Sequence, residues 1–255
     1  MRAKKSLGQN FLREETVIGR IVNALELLPY ETVIEIGPGR GALTEKLIET
    51  GAEVVAVEID RQLVPALRVQ FHSSSNFTVI EADVMETDLS ALVDPGTKAK
   101  LVANLPYYIS TAILQKLIVE RQAFSKLILM LQREVADRIS AAPGNSDRGF
   151  LTVLTEAAFD TRKLMDVPPE AFTPAPKVWS SVIELTPKQP SAGDEPDFRR
   201  LVSAAFEQKR KTILNNLKRF EKNAGVLLSD ASIDPKRRAE TLSLDEWLRL
   251  YARSR

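Results

Sequence analysis

TVIEIGPGRGALTEKL, residues 32–47, decides how this chain is read. An apolar, β-branched run leads into glycines at 37, 39 and 41, and an amphipathic stretch follows. That is the pattern of a buried strand turning tightly into a helix. Four further runs of the same kind lie downstream: EVVAVEI (53–59), FTVIEAD (77–83), KLVANL (100–105) and KLILMLQ (126–132). Amphipathic segments such as ALTEKLIETG and QLVPALRVQF separate them. Strands alternating with helices require right-handed crossovers, and hence a mostly parallel, doubly wound α/β sheet. LTVLTEAAFD (151–160) and WSSVIEL (179–185) read as further strands, placed as antiparallel edges. PGNSDRG between Ala142 and the first of them reads as a loop.

The segment PKQPSAGDEP (187–196) breaks the pattern with Pro, Gly and charge, and beyond it only helical periodicity remains. The expected division is a catalytic domain over 1–189 and a small helical domain over 190–255. At 255 residues, 44% hydrophobic and 27% charged, the composition is that of a soluble globular protein. No apolar run approaches the ~20 residues of a membrane span. The basic start MRAKKSLGQNFLREE lacks a secretory pattern, and zero cysteines exclude disulfides, iron–sulfur clusters and thiolate chemistry. These features point to the cytoplasm. No His, Asp or Glu cluster has metal-ligand spacing, and His72, the single histidine, reads as a surface loop residue. From Arg199 onward 14 Lys and Arg face 7 Asp and Glu, whereas the preceding residues carry 21 against 27. A basic tail on an acidic body suits a polyanion partner. Lys209, Arg210, Lys211, Lys218 and Arg219, at helical spacings in that tail, are the expected phosphate contacts.

The glycine loop formally matches a dinucleotide pattern, so NAD and S-adenosylmethionine both remain open on the glycines alone. Glu35 just before the loop, and the crowding of Gly37, Gly39 and Gly41, favour the methyl donor. An acidic residue suits the cationic methionine end better than a pyrophosphate. Glu58 ends the second run, where a carboxylate can accept both ribose hydroxyls in either cofactor class. Asp83 ends the third and can accept the adenine amine, with Val84 as apolar wall. The fourth ends in NLPYY (104–108), where a carboxamide, a proline and two rings at a strand mouth suggest a flat ligand.

With NLPYYIS (104–110) the chain resembles the ribosomal RNA adenine-N6,N6-dimethyltransferases of the KsgA/Dim1/Erm family, bacterial small-subunit type. The resemblance also rests on SLGQNFL (6–12), EIGPGRGALT (35–44), VEID (57–60), EAD (81–83), LMLQREVADR (129–138), FTPAPKVWSSV (172–182) and AFEQKRKTILNNL (205–217). It implies a Rossmann-like S-adenosylmethionine-dependent methyltransferase domain with a small C-terminal helical domain. The implied reaction is dimethylation of two adjacent adenosines in a loop near the 3′ end of 16S rRNA, by a monomer acting on rRNA or an assembling small subunit. The rival readings are a large-subunit rRNA methyltransferase of the Erm kind and a non-catalytic RNA-binding or transcription factor on the same fold.

The residue types suit that chemistry. An adenine N6 lone pair is delocalised into the ring until acceptors hold its two hydrogens and turn it out of plane. Asn104 can offer its side-chain oxygen and Leu105 its backbone carbonyl, with Pro106 fixing the local backbone. Tyr107 gives a face for the base, and such stacking is worth about 1–3 kcal/mol. The base must be unstacked to reach it. No general base is required, because the product ammonium loses its proton to water. By the resemblance, Phe172 is the opposite wall of the base. Asn10 and Leu12 close over the cofactor alongside Gly37, Gly39, Glu58, Asp83 and Asn104. Arg2, Lys4 and Lys5 form an arm that could touch RNA. Tyr108 is assigned no role.

Overall fold

The structure is a computed structural model that describes residues 9–254. Contacts divide the described residues into two compact units, one reaching to 136 and including 161–187, the other comprising 137–160 and the residues from 188 onward. In the first unit β1 (Phe11–Leu12) precedes α1 (Glu15–Leu25). The alternation then runs β2 (Thr32–Ile36), α2 (Ala42–Glu49), β3 (Glu53–Glu58), α3 (Leu63–Gln70) and β4 (Phe77–Glu81). It continues through β5 (Ala99–Asn104), α4 (Ser110–Glu120), β6 (Phe124–Gln132) and α5 (Arg133–Ile139). All five expected runs are strands. Their legibility has a simple origin: parallel strands covered on both faces are apolar throughout. Val33, Ile34, Leu101, Val102, Leu127 and Leu129 are all at 0% exposure, each contributing about 1.5–3 kcal/mol by burial.

After α6 (Phe150–Ala158) come β7 (Phe159–Val167), the short β8 (Phe172–Thr173) and β9 (Ser180–Pro187). The main sheet has seven strands in the order β4-β3-β2-β5-β6-β9-β7. β2, β3, β4, β5 and β6 pair in parallel, and β9 runs antiparallel to β6, as expected for WSSVIEL. LTVLTEAAFD, by contrast, is helical up to Ala158, and the strand begins only at Phe159. Thr152, Val153, Leu154 and Thr155 are all buried, so no polar face marks the helix and a short apolar run imitates a strand. β1 and β8 form a separate two-stranded ribbon, with Phe11 opposite Thr173 and Leu12 opposite Phe172.

Helix α1 shows how sequence sets the packing. Ile18, Ile21, Val22 and Leu25, spaced 3, 1 and 3 residues apart, make its buried stripe. They join Val33, Leu47, Val54, Val102 and Ile128 in one core cluster. A second cluster gathers Ala56, Val64, Leu67, Phe71 and Val79. Gly41 starts α2 with φ +82°, and a Cβ there would lie 2.8 Å from the Phe71 ring. Glycine is required here both by the backbone and by the helix-to-helix approach.

The second unit contains α6 with α7 (Pro196–Ala205), α8 (Ile213–Leu217), α9 (Ala224–Asp230) and α10 (Leu244–Arg253). Trp247 is wholly buried, its ring stacked on Phe206 at 5.8 Å, and Phe198 meets Tyr251 edge to face at 5.6 Å. Whereas the sequence division fell at 189/190, the structure groups 137–160 with the C-terminal helices. The reason is α6, which packs on α7 and α10.

Candidate active site

The sheet order reverses between β2 and β5, the place where ligands of open α/β sheets bind beyond the strands' carboxyl ends. Pairing aligns Glu35 with Val102 and Ile36 with Ala103, so the glycine loop after β2 and Asn104 at the end of β5 share one edge. A cleft of about 820 Å³, open mouth included, lies there. Asn10, Leu12, Gly37, Gly39, Glu58, Asn104, Pro106 and Tyr107 all line it.

Its floor is acidic. Glu35 is 1% exposed and accepts a hydrogen bond from Thr44 Oγ1 at 2.6 Å. Burial pushes its carboxyl up to about 7, against the Thr44 bond and with help from the charge of Glu58. Glu58 accepts from the backbone N–H of Gly39 at 3.1 Å and of Asp60 at 2.8 Å. Its carboxyl is also raised by burial, although those N–H groups hold it back. Asp60 in turn accepts from Gln9 Nε2 at 3.0 Å. A pyrophosphate would meet two carboxylates in this cleft; a cationic ligand with ribose hydroxyls finds acceptors.

At the other wall, Asn104 Nδ2 donates to the carbonyl of Asn10 at 3.1 Å. An oxygen pointed at that carbonyl would be repelled, so the amide orientation is fixed and Oδ1 is left as the acceptor. Leu105 donates its N–H to Met130 O at 3.1 Å and buries its side chain. Its carbonyl accepts no hydrogen bond among the described residues. Tyr107 is held through its phenol oxygen, 2.7 Å from Ser180 Oγ, and burial raises the phenol's pKa. Tyr108, set aside in the sequence reading, is 61% exposed and also lines the cleft.

Other expected residues lie elsewhere. Phe172 is 2% exposed in the core cluster, across the ribbon from Leu12, and does not line the cleft. Asp83 follows β4 outside the lining residues, with Oδ1 accepting from Met85 N at 2.8 Å. Lys209, Arg210 and Lys211 are exposed but form the turn between α7 and α8 rather than a helical face. Thr212, accepting from Asn215 N, caps the next helix and ends that turn. Lys218 is exposed, and Arg219 pairs with Glu207 at 3.2 Å. Arg2, Lys4 and Lys5 lie outside the described residues. The sequence reading missed Thr44, Gln9 and Ser180. Ser180 carries no sequence signal, because it stands 73 residues from the ring it holds.

Fold and cleft together define a Rossmann-like methyltransferase. The family model described as ribosomal RNA adenine dimethylase matches residues 1–254. The chain is 44% identical to "Ribosomal RNA small subunit methyltransferase A" of Geobacter metallireducens, covering 98% of this chain and 94% of that one. It is 43% identical to the protein of the same name in Chromohalobacter salexigens, covering 97% and 90%. Among solved structures, a dimethyladenosine transferase from Plasmodium falciparum superposes with a TM-score of 0.81 at 28% identity, covering 94% and 95% of the two chains. The 23S rRNA methyltransferase ErmE gives 0.72 at 28%, covering 96% and 99%. This chain belongs to the ribosomal RNA adenine dimethylase family.

Proposed function

We propose that the chain dimethylates the N6 amines of two adjacent adenosines in a loop near the 3′ end of 16S rRNA, with S-adenosylmethionine as methyl donor. The observation that carries the chemistry is the pair of acceptors beside Tyr107: Asn104 Oδ1, aimed by Asn10, and the Leu105 carbonyl. The names of the relatives at 44% and 43% identity support the small subunit as the target.

The residues present fit the cofactor: glycine backbone approaches the cleft, Glu58 offers oxygens, and Glu35 supplies negative charge beneath. Asn10, Leu12, Gly37, Gly39, Glu58 and Asn104 would hold it, and Asp83, outside the lining residues, is proposed to accept the adenine amine. When bound, it supplies an electrophilic methyl group. The protein's own work is on the acceptor. Asn104 Oδ1 and Leu105 O take the two amine hydrogens, so that the nitrogen lone pair leaves the ring plane. Pro106 stiffens the backbone between them and the ring. Tyr107 stacks on the base, and its tether to Ser180 keeps the ring from turning. Catalysis by positioning and local charge needs no side-chain base. Phe172 serves as the second wall only if the β1–β8 ribbon uncovers it.

The basic turn Lys209–Lys211, with Lys218 and Arg219, is proposed to contact RNA phosphates, and the active form is proposed to be a monomer. None of the described helices is long and apolar enough to cross a membrane, and a cytoplasmic site of action is part of the proposal. The test supplies labelled S-adenosylmethionine with unmethylated small and large subunit particles and maps the labelled nucleotides. Label on two adjacent small-subunit adenosines is expected. Label on the large subunit supports the Erm-like reading, and none supports a non-catalytic role. Asn104→Ala should abolish single-turnover methylation; full activity would remove the acceptor role.

A further inference from the structure

Residues 173–179 run exposed ahead of β9, save for half-buried Pro176, and end in Val178 and Trp179, 42% and 43% exposed. The chain's other tryptophan, Trp247, is completely buried. Trp179 is held in place. Its carbonyl accepts from Arg133 N at 2.9 Å, extending the β6–β9 ladder by one residue. The Arg133 guanidinium lies over the indole, 5.6 Å from its centroid. A half-open aromatic face braced by a cation is thus presented at the same sheet edge as the cleft. Lys177, two residues back, is exposed and makes no ion pair among the described residues.

The next residue, Ser180, is the one that tethers Tyr107. Its Cα is about 3.8 Å from that of Trp179. Side chains alternate along a strand, so Ser180 and Trp179 point to opposite sides of it. The indole therefore does not share the base stacked on Tyr107, although Trp179 is the chain neighbour of the residue that tethers that ring. A half-exposed aromatic ring braced by a guanidinium, with an exposed lysine two residues back in the chain, is complementary to a base and its phosphate.

We infer that Trp179, braced by Arg133, is a stacking platform for an unpaired RNA nucleotide next to the adenosine held at Tyr107. This rests on the rRNA methylation reading of the same site. The test measures methylation of unmethylated small-subunit particles by Trp179→Ala and Trp179→Phe, with cofactor affinity measured by equilibrium dialysis. Trp179→Ala is expected to raise KM for particles about fivefold to 100-fold, with kcat within about twofold. Trp179→Phe should recover most of the loss, and cofactor affinity should be unmoved in both. A KM within twofold of wild type in the alanine variant, or no recovery by phenylalanine, overturns the platform while leaving the methylation reading intact. A wild-type protein that labels no particle overturns that reading, and the platform with it.

Discussion

Glu35→Gln tests the acidic floor of the cleft through stability rather than turnover. The buried carboxyl ionises near 4.5 in the unfolded chain but is held up to about 7 in the fold. Below 4.5 both states carry the proton and Glu35 costs nothing. Between the two values the folded state keeps a proton that the unfolded state has lost, so stability falls as pH rises. Above about 7 the penalty is complete, at about 3 kcal/mol if each pKa unit is worth ~1.4 kcal/mol. Glutamine removes the titration and keeps an acceptor for Thr44. The variant should therefore match wild type near pH 4.5 and exceed it increasingly up to pH 8. The gain there should be roughly 6–12 °C in melting temperature, at ~2–4 °C per kcal/mol for a chain of this size. Thermal unfolding followed by circular dichroism without cofactor, from pH 4.5 to 8.5, reads this directly. Carboxylates remote from Glu35 are common to the two proteins and cancel in the difference, and Glu58, whose charge couples to it, contributes in the same direction through the repulsion that is removed. A difference that does not change with pH, or a variant less stable at pH 8, refutes the reasoning. Above about pH 7, where the carboxyl is ionised, the same substitution should weaken cofactor binding, because the negative charge it removes lines the cleft.

Gly41→Ala should destabilise the first unit by about 2–4 kcal/mol in denaturant titration, from left-handed strain and overpacking against Phe71; an unchanged midpoint would show that the contact relaxes freely. Ser180→Ala should lower kcat about fivefold by freeing the Tyr107 phenol, worth ~1 kcal/mol. In a Tyr107→Phe background that effect should vanish, and additive losses would mean Ser180 acts by another route. Neutralising Lys209, Arg210 and Lys211 together should flatten the slope of log affinity against log salt by roughly 0.7–0.9 per lost phosphate contact; an unaltered slope removes the turn from the interface.

The parts of the fold that were legible were those whose local pattern and tertiary setting agree. β2 to β6 are mostly buried and read as such, and Gly41 was legible because side chains rarely adopt φ +82°. Helix α6 was misread because its burial is nearly complete, and the turn at Lys209–Lys211 because its cause lies downstream. Asn216 Nδ2 donates to the carbonyls of Ala205 and Gln208, closing the chain back on the end of α7. Of the expected residues beside strand ends, Gly37, Glu58 and Asn104 line the cleft and Asp83 does not, whereas partners brought in by topology had no sequence signal: Ser180 for Tyr107, Gln9 for Asp60. Phe172 shows the opposite limit. A motif names the residue, but its exposure depends on a strand 160 residues away.

One feature of the ribbon reaches beyond packing. The segment that lines the cleft also aims the amide proposed as acceptor, since Asn10 lines the cavity and its carbonyl holds Asn104 Nδ2. Occupancy of the cleft and readiness toward the amine therefore share one backbone stretch, and any effect that one has on the affinity of the other is reciprocal. A substitution at Asn10 that shifts this backbone should therefore change cofactor and RNA affinity together while leaving the sheet intact.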